Sequence, residues 1–167
     1  MNTPHKTEGI LDRLDLLSPW SFTGILYIVR WIVIIPLICI YSLLSASPQA
    51  VKFNASAVML FIGFIFISPF CETLIECTLP YWLMKISNKI PHGKRPWAFV
   101  YISAAIMALL HFDAWPLAIV PSLITGTFLA YVYGHFAPRG FGQALLHTAV
   151  YHAAINIIGW FMIVAYL

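Results

Sequence analysis

Two segments of the chain hold polar side chains that a lipid bilayer does not tolerate, and each holds them four residues apart. Glu72 and Glu76 lie within one long apolar run, and His152 and Asn156 lie within another. Because residues i and i+4 share a helix face, the members of each pair point the same way. An ionisable group at bilayer depth costs about 2.5–3.5 kcal/mol on insertion scales unless it faces protein or water. The two pairs therefore predict a polar functional site inside a helical bundle.

The acidic pair has the chemistry of a general acid or base. Two carboxylates this close cannot both ionise easily in a low dielectric, so at least one is expected to hold a proton at neutral pH. Such a group suits proton transfer during catalysis. The structural alternatives are a hydrogen-bonded pair between helices and an ion pair with Arg30, the charge in the first apolar run.

Two histidines and an amide extend this set. His111 ends a further apolar run. Its alternative roles are a catalytic or ligand residue and an interfacial residue, and the presence of Glu72 and His152 favours the first. Asn156 could donate to an oxyanion or orient the imidazole of His152, or else make a polar contact between helices. His147 points about 140° away from His152 on a helix and is left out. Glu72, His111 and His152 are the candidate metal ligands for zinc, although no ligand spacing specifies a metal.

The elements that must position these residues are membrane helices. Only 9% of the 167 residues are charged and 61% are hydrophobic, whereas soluble domains carry about 25% charged residues. Segments in lipid must satisfy their own backbone hydrogen bonds, so long apolar runs form helices. The prediction is an all-α fold, a polytopic bundle of about five membrane helices, in one domain over residues 22–167 that follows an N-terminal segment, 1–21. The predicted helices cover residues 22–45, 58–84, 97–111, 117–133 and 141–167.

The third and fourth helices are predicted to form an antiparallel hairpin. Residues 112–116 (FDAWP) are typical of a tight turn, and Pro121 is expected to kink the fourth helix near its start. The third helix, at 15 residues, would be about 22 Å long, which is shorter than the roughly 30 Å hydrocarbon core. Its tip, with His111, is therefore expected to lie below the membrane surface, level with Glu72.

Basic residues in the loops predict the orientation. One side of the bundle would hold seven Lys and Arg residues and the other only Lys52, which places the N-terminus in the cytoplasm. The basic cluster at 85–95 is short and lies between helices, so no nucleic-acid partner is expected. The three cysteines lie in apolar runs, so no disulfide framework is expected, and Cys71 and Cys77 are expected to pack as small apolar residues. A bacterial plasma membrane is the expected location. The seven basic residues on the predicted cytoplasmic side are Lys6, Arg13, Lys85, Lys89, Lys94, Arg95 and Arg139.

Three short motifs resemble the signature of the CAAX protease and bacteriocin-processing family (the ABI family), whose parts read EExxxR, FxxxH and HxxxN. They are residues 72–77 (ETLIEC), 107–111 (MALLH) and 152–156 (HAAIN), in the same order and each within an apolar run. The segment 121–134 also resembles the small-residue helix that precedes the last motif of the family. The resemblance covers residues 68–158 and implies that the active site lies there.

The resemblance implies that water attacks a peptide bond of a membrane-associated substrate. Glu72 would activate the water, and His111 would polarise it or share its proton. The oxyanion would be stabilised by His152 and Asn156. The family has been described in both metal-dependent and metal-independent terms, so zinc remains an open expectation.

Three positions depart from the signature. Thr73 replaces the second Glu, Cys77 replaces the Arg, and Met107 replaces the Phe. Without the Arg, Glu72 loses a partner that could orient it. Glu76 lies on the same face and is expected to substitute in part, so Thr73 and Glu76 are the supporting candidates.

Three functions follow as hypotheses. The first is an intramembrane endopeptidase that acts, among membrane lipids, on a peptide or a lipidated protein. The second is a non-catalytic bacteriocin self-immunity factor or membrane scaffold, which the Thr73 and Cys77 departures favour. The third is a proton- or ion-coupled carrier, which the lack of an inverted repeat disfavours.

Overall fold

The computed structural model describes residues 13–14, 16–44, 57–87, 97–111 and 119–164. Within them the chain forms an all-α bundle of five helices, which confirms the predicted fold class. The first, α1, is Pro19–Leu44, α2 covers residues 57–86, α3 is Trp97–Leu110, α4 is Ile119–Phe136, and α5 is Phe141–Val164. A single 3₁₀ turn, Ala137–Arg139, joins α4 to α5.

Four of the five helices are long and apolar enough to cross a membrane. The segments that qualify are Pro19–Ile40, Gly63–Ile86, Ile119–Arg139 and Phe141–Phe161. The remaining helix, α3, is too short to qualify, since it has only 14 residues, or a length of about 21 Å. The turn predicted at 112–116 lies outside the described residues. Pro121 is the third residue of α4, where the N–H that proline lacks has no intrahelical partner, so no kink is required there.

Two prolines shape α2. In an α-helix the proline ring collides with the carbonyl four residues earlier. Here a wider π turn precedes each proline: Gly63–Ile67 comes before Pro69, and Leu74–Thr78 comes before Pro80. In both turns the closing N–H reaches back five residues, from Ser68 to Gly63 and from Leu79 to Leu74. The helix therefore stays continuous. Each π turn changes the direction in which the side chains that follow it point.

Helices α3 and α4 are antiparallel and pack closely, as predicted. The ring of Trp97 stacks on that of Tyr131, and Phe99 contacts Tyr133. At Gly126 the two backbones approach so closely that an added Cβ would lie 2.7 Å from Met107 Cβ and 2.8 Å from Ala104 Cα. Small residues allow such approaches between membrane helices, where packing drives association.

Helix α4 lies at the centre of the bundle, against α1, α3 and α5. At one end, Phe22 of α1 stacks on His135 of α4, with ring centroids 3.8 Å apart, and Trp20 contacts His147 of α5. Further along, Tyr27 Oη donates to the Ala154 carbonyl at 3.1 Å. These contacts fix α5, which carries His152, against α1 and α4.

We predict that Gly126→Ala destabilises the bundle by about 1–3 kcal/mol, the cost of overpacking a close contact. The new methyl group would press on the backbone of α3 at Ala104, which cannot rotate away. The free energy of unfolding, measured by circular dichroism in detergent micelles, checks this. The matched control is Gly24→Ala in α1, where nothing lies within 4 Å of an added Cβ. Equal stability of the two variants would contradict the close approach.

Candidate functional site

The centre of the site is a contact between α2 and α5. Glu72 Oε2 lies 3.2 Å from His152 Nε2. The other carboxylate oxygen of Glu72, Oε1, accepts a hydrogen bond from Ser68 Oγ one turn earlier in α2. The His152 side chain is 2% exposed and that of Glu72 is 24% exposed. The carboxylate therefore contacts a buried imidazole and is itself partly exposed.

Glu76 belongs to the same cluster. One carboxylate oxygen of Glu76 lies within 4.8 Å of ligand atoms of both Glu72 and His152. The residue is only 1% exposed, and neither of its oxygens has a hydrogen-bond partner among the described residues. It lies in the second π turn, four residues before Pro80. Proline and the wide turn together set the direction in which this carboxylate enters the bundle.

His111 approaches the cluster from the end of α3. Its Nδ1 lies 2.9 Å from the Met107 carbonyl oxygen. A carbonyl only accepts, so Nδ1 carries the proton and Nε2 of the neutral ring is left as an acceptor. His111 interacts electrostatically with both Glu72 and His152. Glu72 and His152 lie midway along their helices. His111 lies at the end of α3, and it reaches their depth because α3 is short.

Asn156 has a different environment from the one predicted for an oxyanion donor. Its Nδ2 donates to the Phe64 carbonyl oxygen at 2.9 Å. That carbonyl lies in the first π turn, where Ser68 N–H bonds to Gly63 instead and Pro69 has no N–H. The amide thus serves the backbone of α2 and holds α2 against α5 one turn from His152.

Arg30 makes no ion pair with either carboxylate among the residues that the structure describes. Its guanidinium donates through Nε and Nη2 to Thr125 Oγ1, at 3.3 and 3.0 Å, and lies over the Trp31 ring at 4.6 Å. The Arg30–glutamate alternative weighed from the sequence is therefore not formed. Arg30 interacts electrostatically with His152 instead.

The structure unites some of the predicted residues and separates others. Glu72, Glu76 and His152 share one cluster and His111 is nearby, whereas His147 stacks on Phe136 with ring centroids 4.1 Å apart. Within the part of the chain that the structure describes, the group that could hold a metal is Glu72, Glu76 and His152. It contains Glu76 in place of the His111 that the sequence suggested.

Two contributors were missed in the sequence, although each left a signal. Ser68 precedes Glu72 by four residues and so lies on its helix face. Pro80 stands inside an apolar run, and an internal proline signals a local change of helix geometry. The cysteines are free, with Cys71 exposed and Cys77 buried.

A carboxylate, two imidazoles and a second carboxylate, gathered at membrane depth, can accept and return protons. Glu72 is more exposed than His152, at 24% against 2% of the side chain, so of this pair it is the one that a substrate or a water molecule can reach. His152 Nε2 can exchange a proton with Glu72 Oε2 directly across 3.2 Å. The arrangement suits general acid–base catalysis, which requires groups within hydrogen-bond reach of one another.

We predict that Asn156→Ala lowers the free energy of unfolding by about 0.6–1.7 kcal/mol, the range measured for hydrogen bonds between membrane helices. The Phe64 carbonyl would lose its donor from α5. Unfolding in micelles measures the loss, with Ile157→Ala, on the exposed face of α5, as the control. If Asn156→Ala were as stable as the parent chain, the amide would not serve as a structural contact.

Comparison of the chain with protein-family models, with curated proteins and with solved structures finds no match.

Proposed function

We propose that the protein is an intramembrane endopeptidase that hydrolyses a peptide bond of a membrane-associated substrate with water. The observation that carries the proposal is the 3.2 Å contact between Glu72 Oε2 and His152 Nε2 at the middle of two membrane helices. Ionisable groups inside membrane segments are costly to bury and usually mark functional sites, and the partly exposed Glu72 gives this pair access to a substrate. The resemblance of the three motifs to the CAAX protease family supports the same chemistry.

Glu72 is the general base of the proposed reaction. Its carboxylate takes one proton from the attacking water while the water oxygen bonds to the substrate carbonyl carbon. Ser68 fixes Oε1 by its hydrogen bond, which leaves Oε2 directed at His152. The proton then passes to the leaving nitrogen as the carbon–nitrogen bond breaks, and the carboxylate is restored.

The histidines stabilise charge and move protons. His111, with Nε2 as acceptor, shares the proton of the water with Glu72. His152, which interacts electrostatically with Arg30, stabilises the oxyanion that develops on the substrate carbonyl. Asn156 acts as a positioning residue, because its amide holds the α2 backbone.

The proposed location is a bacterial plasma membrane with the N-terminus in the cytoplasm. The structure gathers the start of α1, the end of α4 and the start of α5 at one end, through Trp20, Phe22, His135 and His147. Arg139 lies between α4 and α5 at that end. The rule that basic loops stay in the cytoplasm supports the proposed orientation. The substrate would be a peptide or a lipidated protein that enters the site from the bilayer.

We predict that Glu72→Gln and His111→Ala each lower kcat/KM by about 100- to 10,000-fold, the usual contribution of general acid–base catalysis. The assay uses protein in liposomes and a library of membrane-inserted peptides, with cleavage products identified by mass spectrometry. In ¹⁸O water the new carboxylate should gain one heavy oxygen, since water is the attacking group.

The matched control for this assay is Cys71→Ala. Cys71 is exposed and adjacent to Glu72, and its removal should leave cleavage unchanged. Full activity in both Glu72→Gln and His111→Ala would refute the proposed mechanism. If the parent chain cleaves no peptide, while it protects cells from a bacteriocin and both variants still protect, the non-catalytic immunity role replaces the endopeptidase.

A further inference from the structure

Three buried polar groups of α2 and α5 have no hydrogen-bond partner among the described residues, and the proposed mechanism uses none of them. They are the carboxyl group of Glu76, the hydroxyl group of Thr148 and the ring nitrogen Nδ1 of His152. The three residues are 1%, 0% and 1% exposed, respectively. Buried polar groups are almost always paired, because an unpaired one loses its hydration without replacement. The three groups therefore point to a partner that binds between the helices.

The register of the two helices brings these groups to the same level. Helices α2 and α5 run antiparallel, because the residue numbers that meet fall along α5 as they rise along α2. Glu72 meets His152. Glu76 lies about one turn further along α2, and Thr148 lies one turn earlier along α5, so these two residues fall at the next level of contact. A helical side chain also leans toward the N-terminus of its helix, which carries the ring of His152 toward Thr148.

The spacing within this set suits one water molecule. A carboxyl oxygen of Glu76 and a ring nitrogen of His152 lie within 4.8 Å of each other, yet no hydrogen bond joins Glu76 to a described residue. Two groups that each bond the same water at about 2.8 Å lie about 4.6 Å apart when the angle at the water is tetrahedral. Buried waters make about three hydrogen bonds to groups that the protein itself leaves unsatisfied. The carboxyl group, the hydroxyl group and the ring nitrogen match that number.

We propose that Glu76, Thr148 and His152 hold one buried water molecule, which fixes the tautomer of His152. The water accepts a hydrogen bond from the Thr148 hydroxyl and donates its own two hydrogens to a Glu76 carboxyl oxygen and to His152 Nδ1. Because Nδ1 then accepts, the proton of the neutral ring lies on Nε2. This buried water is distinct from the attacking water of the proposed reaction, which reaches Glu72 where that side chain is exposed.

The tautomer matters for the reaction because His152 acts through Nε2. This atom lies 3.2 Å from Glu72 Oε2, so its N–H holds the carboxylate in place and is the donor that a developing oxyanion requires. A ring protonated on Nδ1 would present an acceptor to Glu72 in place of a donor. Thr148 and Glu76 are thus positioning residues, since they act only through the water and His152. This catalytic meaning rests on the proposed function, whereas the water site is measured without any turnover.

Nitrogen NMR tests the tautomer without a substrate. The chain is labelled with ¹⁵N-histidine in micelles, and the His152 signals are assigned by their loss in His152→Gln. The parent chain should show a protonated Nε2 and an Nδ1 that accepts a hydrogen bond. Thr148→Val, which keeps the shape and removes the hydroxyl, and Glu76→Met should each move the Nδ1 signal toward that of a nitrogen without a hydrogen bond. Glu76→Gln can still bind the water and should keep the parental signals.

The matched control is Thr127→Val, because the Thr127 hydroxyl donates to the Leu123 carbonyl of its own helix, and this variant should leave the His152 signals unchanged. Magnetisation transfer from water to the methyl group of Thr148, in otherwise deuterated protein, detects the bound water directly. The parent should show the transfer, Glu76→Met should lose it, and the buried methyl groups of Leu129 should show none.

Two results would overturn the site. One is a parent chain in which Nδ1 carries the proton or in which Thr148 receives no magnetisation from water, and it is decisive even where a variant fails to fold. The other is a set of parental His152 signals in both Thr148→Val and Glu76→Met.

The two proposals fail separately. In the peptide-cleavage assay, Thr148→Val should lower kcat by roughly 3- to 10-fold and leave KM unchanged, because the variant removes about one hydrogen bond from the support of His152. The expected His152 signals in a chain that cleaves no peptide would keep the water site and remove the endopeptidase. Cleavage by a parent chain whose Nδ1 carries the proton would keep the endopeptidase and remove the water site.

Discussion

The contact between Glu72 and His152 is the interaction around which the bundle is organised. Each residue belongs to a different membrane helix, and each is costly to bury alone. Once they meet, the helices α2 and α5 must cross at this depth and in this rotation. Ser68 supports the carboxylate from within α2, and the amide of Asn156 holds the α2 backbone one turn away. The polar pair therefore fixes packing that apolar side chains alone leave free to slide, because lipid is as apolar as they are.

The prolines of α2 change the local backbone geometry, and this change affects the positions of residues in the site. Pro69 and Pro80 each remove an N–H, and each is preceded by a π turn that avoids a collision with the ring. The first turn exposes a carbonyl that Asn156 binds, and the second carries Glu76 into the cluster. Two features that weaken a helix in isolation thus supply one interhelical hydrogen bond and one ligand-type side chain.

The short helix α3 brings His111, which lies at its end, to the depth of the cluster of Glu72, Glu76 and His152. Gly126 lets α3 lie close to α4, and the Met107 carbonyl then fixes the ring of His111. The length of α3 sets the depth of His111 in the membrane, and the contact at Gly126 sets how α3 is rotated against α4. The Met107 side chain lies against this helix contact at Gly126.

The sequence by itself determined the all-α membrane fold, the helix limits to within a few residues, and the two polar pairs, because hydropathy and i, i+4 spacing are local properties. It also indicated His111, since α3 is visibly short. Only the tertiary structure decided which partner each polar group has. Glu72 pairs with His152, Asn156 binds a backbone carbonyl, Arg30 binds Thr125, and Glu76 enters the cluster. These pairings depend on how the helices are rotated against one another, and that rotation arises from packing between segments distant in the chain.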